Sequence, residues 1–408
     1  MTEINPNAAR LIALLAEGDV ATETLTVEEW ERLIALAQQH NVAPVLYARI
    51  KKRGGPPPPV IAEQLRQIYL ASAIRNLNLF QELGKILRVL QAANIPVIPL
   101  KGACLAEKVY GNIGLRPMGD VDLLIKQNDL AQALGALRSL GFACERSFDP
   151  IAEQTVSQYM LPLSKPGGLR VEMHWTIMCP RYKGHFENDD LEQLWSRAKT
   201  ATIGGVSVLM FSPTDLLLHL CLHTSVHHRF DFAGLRNYLD IALVIHRYGD
   251  VIDWKQFTAL ANKWVIANGV RLALQLTEEW TCTSIPASVW DALEADPLDD
   301  VTMDWVRSKI LDSGSLALKS EVVRFEGKAH FVDKLSVLRR ALFPPRSEMA
   351  WKYPAPADSW RVLCYYPVRF MVLWMRYRQA MWQLLRRDRK LITEARREAH
   401  LRDYLGWD

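Results

Sequence analysis

LRPMGDVDLLI, residues 115–125, has the apolar run of a buried β-strand but carries two aspartates, Asp120 and Asp122. Side chains of a strand alternate between its two faces, so the two carboxylates share one face and the apolar residues between them share the other. Two negative charges held this close raise the energy of the fold unless a cation or hydrogen-bond donors compensate them. The segment therefore predicts a strand that packs on a core with one face and forms a polar site with the other.

The neighbouring segments alternate between strand and helix patterns. IPVIPL (95–100) and GLRVEMHW (168–175) are typical of strands, and QNDLAQALGALRSLG (127–141) is typical of a helix. Between the first strand and residue 115, KGACLAEKVYG (101–111) predicts a turn that opens a helix. The alternation predicts an α/β domain, and with helical regions on either side of it the chain is expected to be of the mixed α+β class.

A third carboxylate completes the predicted site. In LRVEMHW, Glu172 shares one strand face with Arg170 and His174. If this strand lies beside DVDLLI, Glu172 joins the two aspartates, and three carboxylates suit a hard cation such as Mg²⁺ together with phosphate and water oxygens. The alternative is structural, with the carboxylates capping loops or pairing with Arg116 and Arg170.

The turn before the helix predicts phosphate binding. Lys101 offers a positive charge, Gly102 permits close backbone approach, and free N–H groups at a helix start favour anions. Arg116, just before the aspartates, has the geometry to bind a phosphate with two hydrogen bonds. The order of strand, Lys-Gly turn, helix, Asp-x-Asp strand and carboxylate strand is more specific than any one of these pieces.

That order resembles the polymerase-β-like nucleotidyltransferase superfamily. More closely, IPVIPLKGACLAEKVYGNIGLRPMGDVDLLI, followed by VEMHW and SPTDLLLHLCLH, resembles the bacterial family of uncharacterised nucleotidyltransferases over residues 70–245. The resemblance implies a polymerase-β-like core with a mixed sheet, flanked by helical regions. The wider superfamily's usual Gly-Ser turn is Lys101-Gly102 here.

The resemblance also implies an activity and a set of site residues. The activity is transfer of a nucleoside monophosphate from an NTP, expected to be ATP, to an unidentified hydroxyl with release of pyrophosphate. Asp120, Asp122 and Glu172 would be the catalytic metal ligands for Mg²⁺ or Mn²⁺, and either Asp122 or Glu172 would accept the hydroxyl proton. The acceptor is a small molecule, a sugar, a protein or an RNA end.

Histidines supply further candidates. His174 shares the carboxylate face and would position a carboxylate or contact a phosphate or the acceptor. Asp215, His219, His223 and His227 recur every four residues on one predicted helix face. Two of them, His219 and His223, would bind the acceptor or pack at an interface between regions, and Asp215 also fits a capping box with Ser212.

We expect three regions: helical residues 1–94, the α+β domain 95–211, and helical residues 212–408. Thr26 and Glu29 predict a capping box in the first region, and Arg75 and Asn76 interrupt the apolar face of its long helix. These two residues would form hydrogen bonds at a helix junction or reach the nucleotide.

Composition bounds the remaining possibilities. The six cysteines are scattered, no signal peptide is evident, and no uninterrupted apolar run reaches about 18 residues, so we expect a cytoplasmic protein without a transmembrane segment. Residues 334–408 carry 16 lysines and arginines against 7 acidic residues, a basic tail for a polyanion. Two alternatives stay open: a catalytically silent nucleotide-binding or scaffold protein, and an enzyme that modifies nucleic-acid ends.

Overall fold

The central element of the fold is a mixed five-stranded sheet, with strand order β1-β2-β5-β4-β3. Strands β2 and β5 pair in parallel, whereas the other pairs of this sheet are antiparallel. The computed structural model describes residues 5–16, 18, 20–53, 57–144, 158, 162–166, 169–178, 182, 185–230, 234–311, 323, 331–356, 358–386 and 388–407. The strands are β1 Val97–Pro99, β2 Asp120–Ile125, β3 Ala143–Cys144, β4 Leu163–Ser164, β5 Arg170–His174, and a separate hairpin of β6 Lys199–Ile203 and β7 Val206–Met210.

Helices make up most of the remaining described chain. In chain order they are α1 Pro6–Leu15, α2 Val27–Gln39, α3 Ala43–Arg53, α4 Pro59–Ala92, α5 Gly102–Cys104, α6 Leu130–Ser139, α7 Asn188–Arg197, α8 Pro213–Leu222, α9 Leu235–Tyr248, α10 Trp254–Lys263, α11 Ala267–Thr281, α12 Ala287–Ala292, α13 Asp300–Leu311, α14 Phe331–Leu342, α15 Arg346–Lys352, α16 Tyr365–Leu385 and α17 Arg389–Tyr404. The predicted α+β class, with a mixed sheet flanked by helices, is confirmed.

Local sequence signals fix the helix starts. Helix α2 begins after the predicted capping box, in which the Thr26 side chain accepts from the Glu29 N–H and the Glu29 carboxylate accepts from the Thr26 N–H. Helix α8 begins after Ser212, whose hydroxyl accepts from the Asp215 N–H, and Pro213 occupies its first position. These caps satisfy N–H groups that a helix leaves without internal partners.

Two hydrophobic clusters hold the described chain together. The first joins the sheet to the second half of α4, with Leu83, Val121 and Met173 among its fully buried members. The second joins the N-terminal helices to the helices after residue 212, so that Trp30 and Trp264 belong to the same core. The region boundaries at residues 94 and 211 stay a prediction.

Helix α4 also braces the loop that precedes β2. Asn76 is fully buried, and its amide donates to the backbone oxygen of Arg116 at 2.8 Å and to that of Ile113. Arg75, its neighbour, is exposed. Of the two roles considered for this pair, Asn76 has the structural one, since it fixes the backbone just before Asp120.

None of the helices in the described part of the chain is long and apolar enough to span a membrane. The last helix, α17, packs on α13 through polar contacts: the Trp305 indole donates to Glu394 at 2.7 Å, and Lys309 pairs with Glu398. Helix α16 presents exposed aromatic side chains, among them Phe370, Trp374 and Trp382.

Candidate active site

The parallel pairing of β2 with β5 brings the carboxylates together. In the register of the two strands, Asp122 lies opposite Glu172 and Asp120 lies opposite Arg170. Asp122 is 9% exposed, whereas Asp120 is exposed at the strand's first position. The two strands are therefore adjacent, as expected, with Asp122 deep in the fold and Asp120 at its surface.

Asp122 is held by two hydrogen-bonding partners. Its Oδ2 lies 3.1 Å from Nζ of Lys101, and its Oδ1 lies 3.1 Å from Nε2 of His174. Burial raises the pKa of Asp122, but the Lys101 ammonium and the His174 hydrogen bond outweigh it, so the pKa falls well below its usual range. Asp122 is consequently a fixed anion at any physiological pH.

Glu172 has the opposite electrostatic balance. Burial, and then the charges of Asp122 and Asp120, raise the pKa of Glu172 to about 7. The exposed Arg170 guanidinium lies 3.3 Å from its Oε1 and compensates this only in part. The carboxylate cluster therefore carries more negative charge than the surrounding cations neutralise.

This imbalance fits a divalent cation. Asp122, Glu172 and His174 each offer a ligand atom within 4.8 Å of the others. Two opposed carboxylates, one of them poorly neutralised, are the oxygen donors that Mg²⁺ and Mn²⁺ prefer. Among the described residues no other group of histidines, cysteines and carboxylates has such spacing, and Asp120 lines the same pocket.

Lys101 and Gly102 form the turn between β1 and α5. Lys101 has a backbone φ of +40°, a left-handed value that is uncommon for a side-chain-bearing residue and directs the chain sharply into the helix. A Cβ on Gly102 would lie 3.1 Å from Sδ of Met118 and 3.2 Å from Nη1 of Arg116. Close packing of the loop before β2 therefore leaves little room for a side chain at position 102.

Arg116, predicted to bind phosphate, is buried against a carboxylate. Its guanidinium donates to both oxygens of Asp240, at 2.7 Å from Nη2 and 3.0 Å from Nε, and the Tyr110 hydroxyl donates to the same aspartate at 2.7 Å. Burial opposes the charge on Arg116, but Asp240 raises its pKa overall. The structural alternative had this arginine paired with the site's own carboxylates, and its partner is instead on α9.

The histidine stripe of α8 divides into different environments. Asp215 has a structural role, since its carboxylate accepts hydrogen bonds from Arg197 at 2.7 Å and from Ser212 at 2.6 Å. His219 is 1% exposed, packs edge-on against Phe211, and its two ring nitrogens have no hydrogen-bond partner among the described residues. Burial, and secondarily Lys101, lower the pKa of His219 to about 3.

His223 and His227 lie in a π-helical turn that continues α8. A π-turn brings residues five apart onto one face, and Nε2 of His223 accordingly lies 3.0 Å from Nε2 of His228. His227 instead meets Gln158, with its Nδ1 3.2 Å from the amide nitrogen. Burial lowers the pKa of His223 well below its usual value.

One pocket contains most of these groups. Lys101, Gly102, Arg116, Asp120, Asp122, Glu172 and His223 all line it. His174 and His219 are buried behind its wall and are not among the lining residues. Five further polar residues that sequence reasoning missed line the pocket: Thr224, His228, Arg236, Asn237 and Asp240. A signal for the last three was present in LRNYLD (235–240), where they precede the apolar run IALVI.

The described fold and pocket are those of a protein with a carboxylate site on two adjacent interior strands of a mixed sheet. The chain belongs to the family of uncharacterised nucleotidyltransferases, whose family model matches residues 26–281. The predicted family is therefore confirmed.

Two other comparisons complete this picture. The crystal structure of an antigenic nucleotidyltransferase-like protein from Paracoccidioides brasiliensis is 20% identical, covers 54% of this chain and 95% of that chain, and has a TM-score of 0.30. No curated protein matches the chain.

Proposed function

We propose that the protein transfers a nucleoside monophosphate from an NTP, with ATP as the expected donor, to an acceptor hydroxyl and releases pyrophosphate. The observation that carries this proposal is the placement of Asp122 directly opposite Glu172 in a pocket that Lys101 also lines. Family membership supports the reaction class.

Asp120, Asp122 and Glu172 are the proposed holders of Mg²⁺ or Mn²⁺. Bound there, the cation supplies charge neutralisation for the triphosphate and for the displacement at the α-phosphorus. The chain's own residues prepare this site: Lys101 keeps Asp122 ionised, and His174 fixes the orientation of its carboxylate. Such preorganised electrostatics is the main means by which phosphoryl-transfer enzymes lower the barrier.

Nucleotide binding is assigned to the same pocket. Lys101 and Gly102 line it and are proposed to approach the nucleotide phosphates. Arg116 is proposed to support nucleotide binding by holding its loop in place. Its Nε and Nη2 already donate to Asp240, and its backbone oxygen accepts from the Asn76 amide.

Acceptor binding is proposed for His223, which lines the pocket, with His174 and His219 behind it as positioning residues. The acceptor itself is a hydroxyl of a small molecule, sugar, protein or RNA end. A His223 ring whose pKa is lowered by burial is neutral at physiological pH and can accept or donate a hydrogen bond to such a hydroxyl.

The alternative of nucleic-acid end modification required the basic tail to lie beside the cleft. All described residues that line the pocket fall between Lys101 and Asp240, so the described tail contributes none. Several tail cations are also paired locally, as Arg402 is with Glu398 at 3.1 Å. These contacts favour a tail that contacts a polyanion, if at all, away from the pocket.

The test is incubation of the full chain with each α-labelled NTP, Mg²⁺ and cell extract, followed by separation of labelled products. We expect a labelled product and released pyrophosphate with one NTP, loss of both in Asp122→Asn, and wild-type yield in Asp250→Asn, an exposed carboxylate outside the pocket. Nucleotide binding without product under all conditions would favour the catalytically silent alternative.

A further inference from the structure

One cation of the pocket forms no ion pair within the described part of the chain. Three cationic side chains line it, namely Lys101, Arg116 and Arg236, and the first two are ion-paired as described above. Arg236 forms no ion pair with a described carboxylate. Its Nη1 donates to the backbone oxygen of Pro117 at 3.1 Å, and its Nε is buried without a hydrogen-bond partner among the described residues.

The next residue, Asn237, also has a buried hydrogen-bond donor without a partner among the described residues. Asn237 also lines the pocket, is 7% exposed, and its amide nitrogen is buried without a partner in the described chain. A buried donor that makes no hydrogen bond destabilises the fold, and a charged donor does so more strongly. Burial, and then the nearby Arg116, also lower the pKa of Arg236, which an anion beside it would reverse. Two adjacent residues with buried, unpartnered donors indicate a binding site for a ligand that accepts hydrogen bonds.

Both residues belong to the first turn of α9, a helix of 14 residues. Its N-cap is Gly234, which supplies no capping side chain, so the turn retains the positive end of the helix dipole. A Cβ at Gly234 would lie 3.2 Å from Nδ1 of His40, and glycine therefore allows the helix start to approach that residue closely. The helix start also contacts His40 directly, since the Leu235 N–H donates to His40 Nδ1 at 3.4 Å.

We propose that Arg236 and Asn237 bind phosphate oxygens of the nucleoside triphosphate, in the same pocket as the carboxylates. This inference rests on the proposed nucleotidyl transfer. Anionic phosphate oxygens would satisfy both donors, and the planar guanidinium suits a phosphate because several of its N–H groups can point to neighbouring oxygens.

The assignment gives Arg236 a role in the reaction itself. In the proposed transfer the acceptor oxygen bonds to the α-phosphorus and gives its proton to Asp122 or Glu172. The bond from the α-phosphorus to its bridging oxygen breaks, and the electron pair stays on the departing pyrophosphate, whose negative charge rises. Arg236, which forms no ion pair with a described carboxylate, has more of its charge available to that group than Arg116, which is paired with Asp240. Lys101, in contrast, shares its charge with Asp122.

The experiment is titration of the full chain with inorganic tripolyphosphate and, separately, with ATP and adenosine, in buffer with EDTA. Arg236→Gln keeps an amide for the Pro117 oxygen and removes the charge. We expect it to weaken tripolyphosphate and ATP binding ten- to a hundredfold, with unchanged adenosine binding. Asn237→Leu, similar in size but without donors, should weaken both phosphate ligands three- to tenfold.

Arg247→Gln is the matched control, since this arginine is exposed near the end of the same helix. Unchanged tripolyphosphate affinity in a folded Arg236→Gln protein would overturn the proposal. Weaker binding of tripolyphosphate to Arg236→Gln with unchanged ATP affinity would also overturn it, because the anion at Arg236 would then not be the triphosphate of the nucleotide. Arg236-dependent tripolyphosphate and ATP binding without any nucleotidyl product would instead support this subsite and count against the proposed transfer.

Discussion

Nζ of Lys101 lies 3.1 Å from Oδ2 of Asp122, and the two side chains are only 13% and 11% exposed. The pair joins the turn after β1 to the centre of β2, at a backbone position with φ of +40°. A buried ion pair of this kind leaves an uncompensated charge when either member is removed. It therefore couples the stability of the turn to the charge of the candidate metal site.

A double-mutant cycle tests this coupling. Lys101→Met and Asp122→Asn should each lower the free energy of unfolding by about 1–3 kcal/mol, because each leaves the partner buried and unpaired. The double variant should lose less than the sum of the two. Urea unfolding in EDTA measures the coupling free energy between Lys101 and Asp122. The same cycle on the exposed pair Arg66 and Glu63 should show no measurable coupling. Additive losses at the buried pair would contradict the prediction.

Glu172 and Asp122 should respond oppositely to loss of charge. Glu172→Gln removes a carboxylate that burial and Asp122 destabilise, so its melting temperature in EDTA at pH 8 should equal or exceed the wild-type value. Asp122→Asn should melt lower, since it loses the Lys101 and His174 contacts. Calorimetry on both variants decides this, and a shift of both in the same direction would show that the site's charges do not act as described.

Divalent cations should stabilise the folded protein. A ligand that binds only the folded state raises the melting temperature in proportion to the logarithm of its concentration. We expect Mg²⁺ and Mn²⁺ to raise the melting temperature of the wild type and of Asp250→Asn, and to have no such effect on Asp122→Asn. Equal shifts in all three proteins would place the cation elsewhere.

The buried His219 should make the fold sensitive to acid. The unfolded chain binds a proton on this residue near pH 6.5, whereas burial lowers the folded pKa to about 3. His219 should thus contribute no pH dependence above pH 6.5, whereas between pH 6.5 and 3 its contribution to the free energy of unfolding should fall by about 1.4 kcal/mol per pH unit as the pH is lowered. In His219→Gln this contribution should be absent. An unchanged slope of the free energy of unfolding against pH would contradict the burial argument.

His223 should affect activity more than stability. It lines the pocket, so His223→Gln should lower nucleotidyl transfer at least tenfold while the unfolding midpoint changes little. His219→Gln serves as the comparison, because its ring lies behind the wall and its proposed positioning role predicts a smaller loss of specific activity than in His223→Gln. Turnover per folded molecule, measured on the same preparations as the midpoint, distinguishes the two residues. Normal turnover in His223→Gln would remove this histidine from the site.

The approach of Asp122 to Glu172 could be predicted from sequence because strand alternation has a simple period of two. The ion pairs could not, since Arg116 and Asp240 are 124 residues apart and no local pattern relates them. The histidine stripe was predicted with a constant helical period, whereas the chain turns π-helical at His223 and changes which residues share a face. Local periodicity thus gave the strands and helices, and long-range packing decided the partners.

The bond between Arg116 and Asp240 has a consequence for where the chain can be divided. Arg116 precedes the strand that carries the carboxylates, whereas Asp240 lies on a helix beyond residue 211, and both side chains are less than a tenth exposed. A fragment that ends at Phe211 would keep the sheet but lose the carboxylate that compensates this guanidinium. The sheet and α9 therefore form one unit for expression and purification, and neither half is a suitable minimal enzyme.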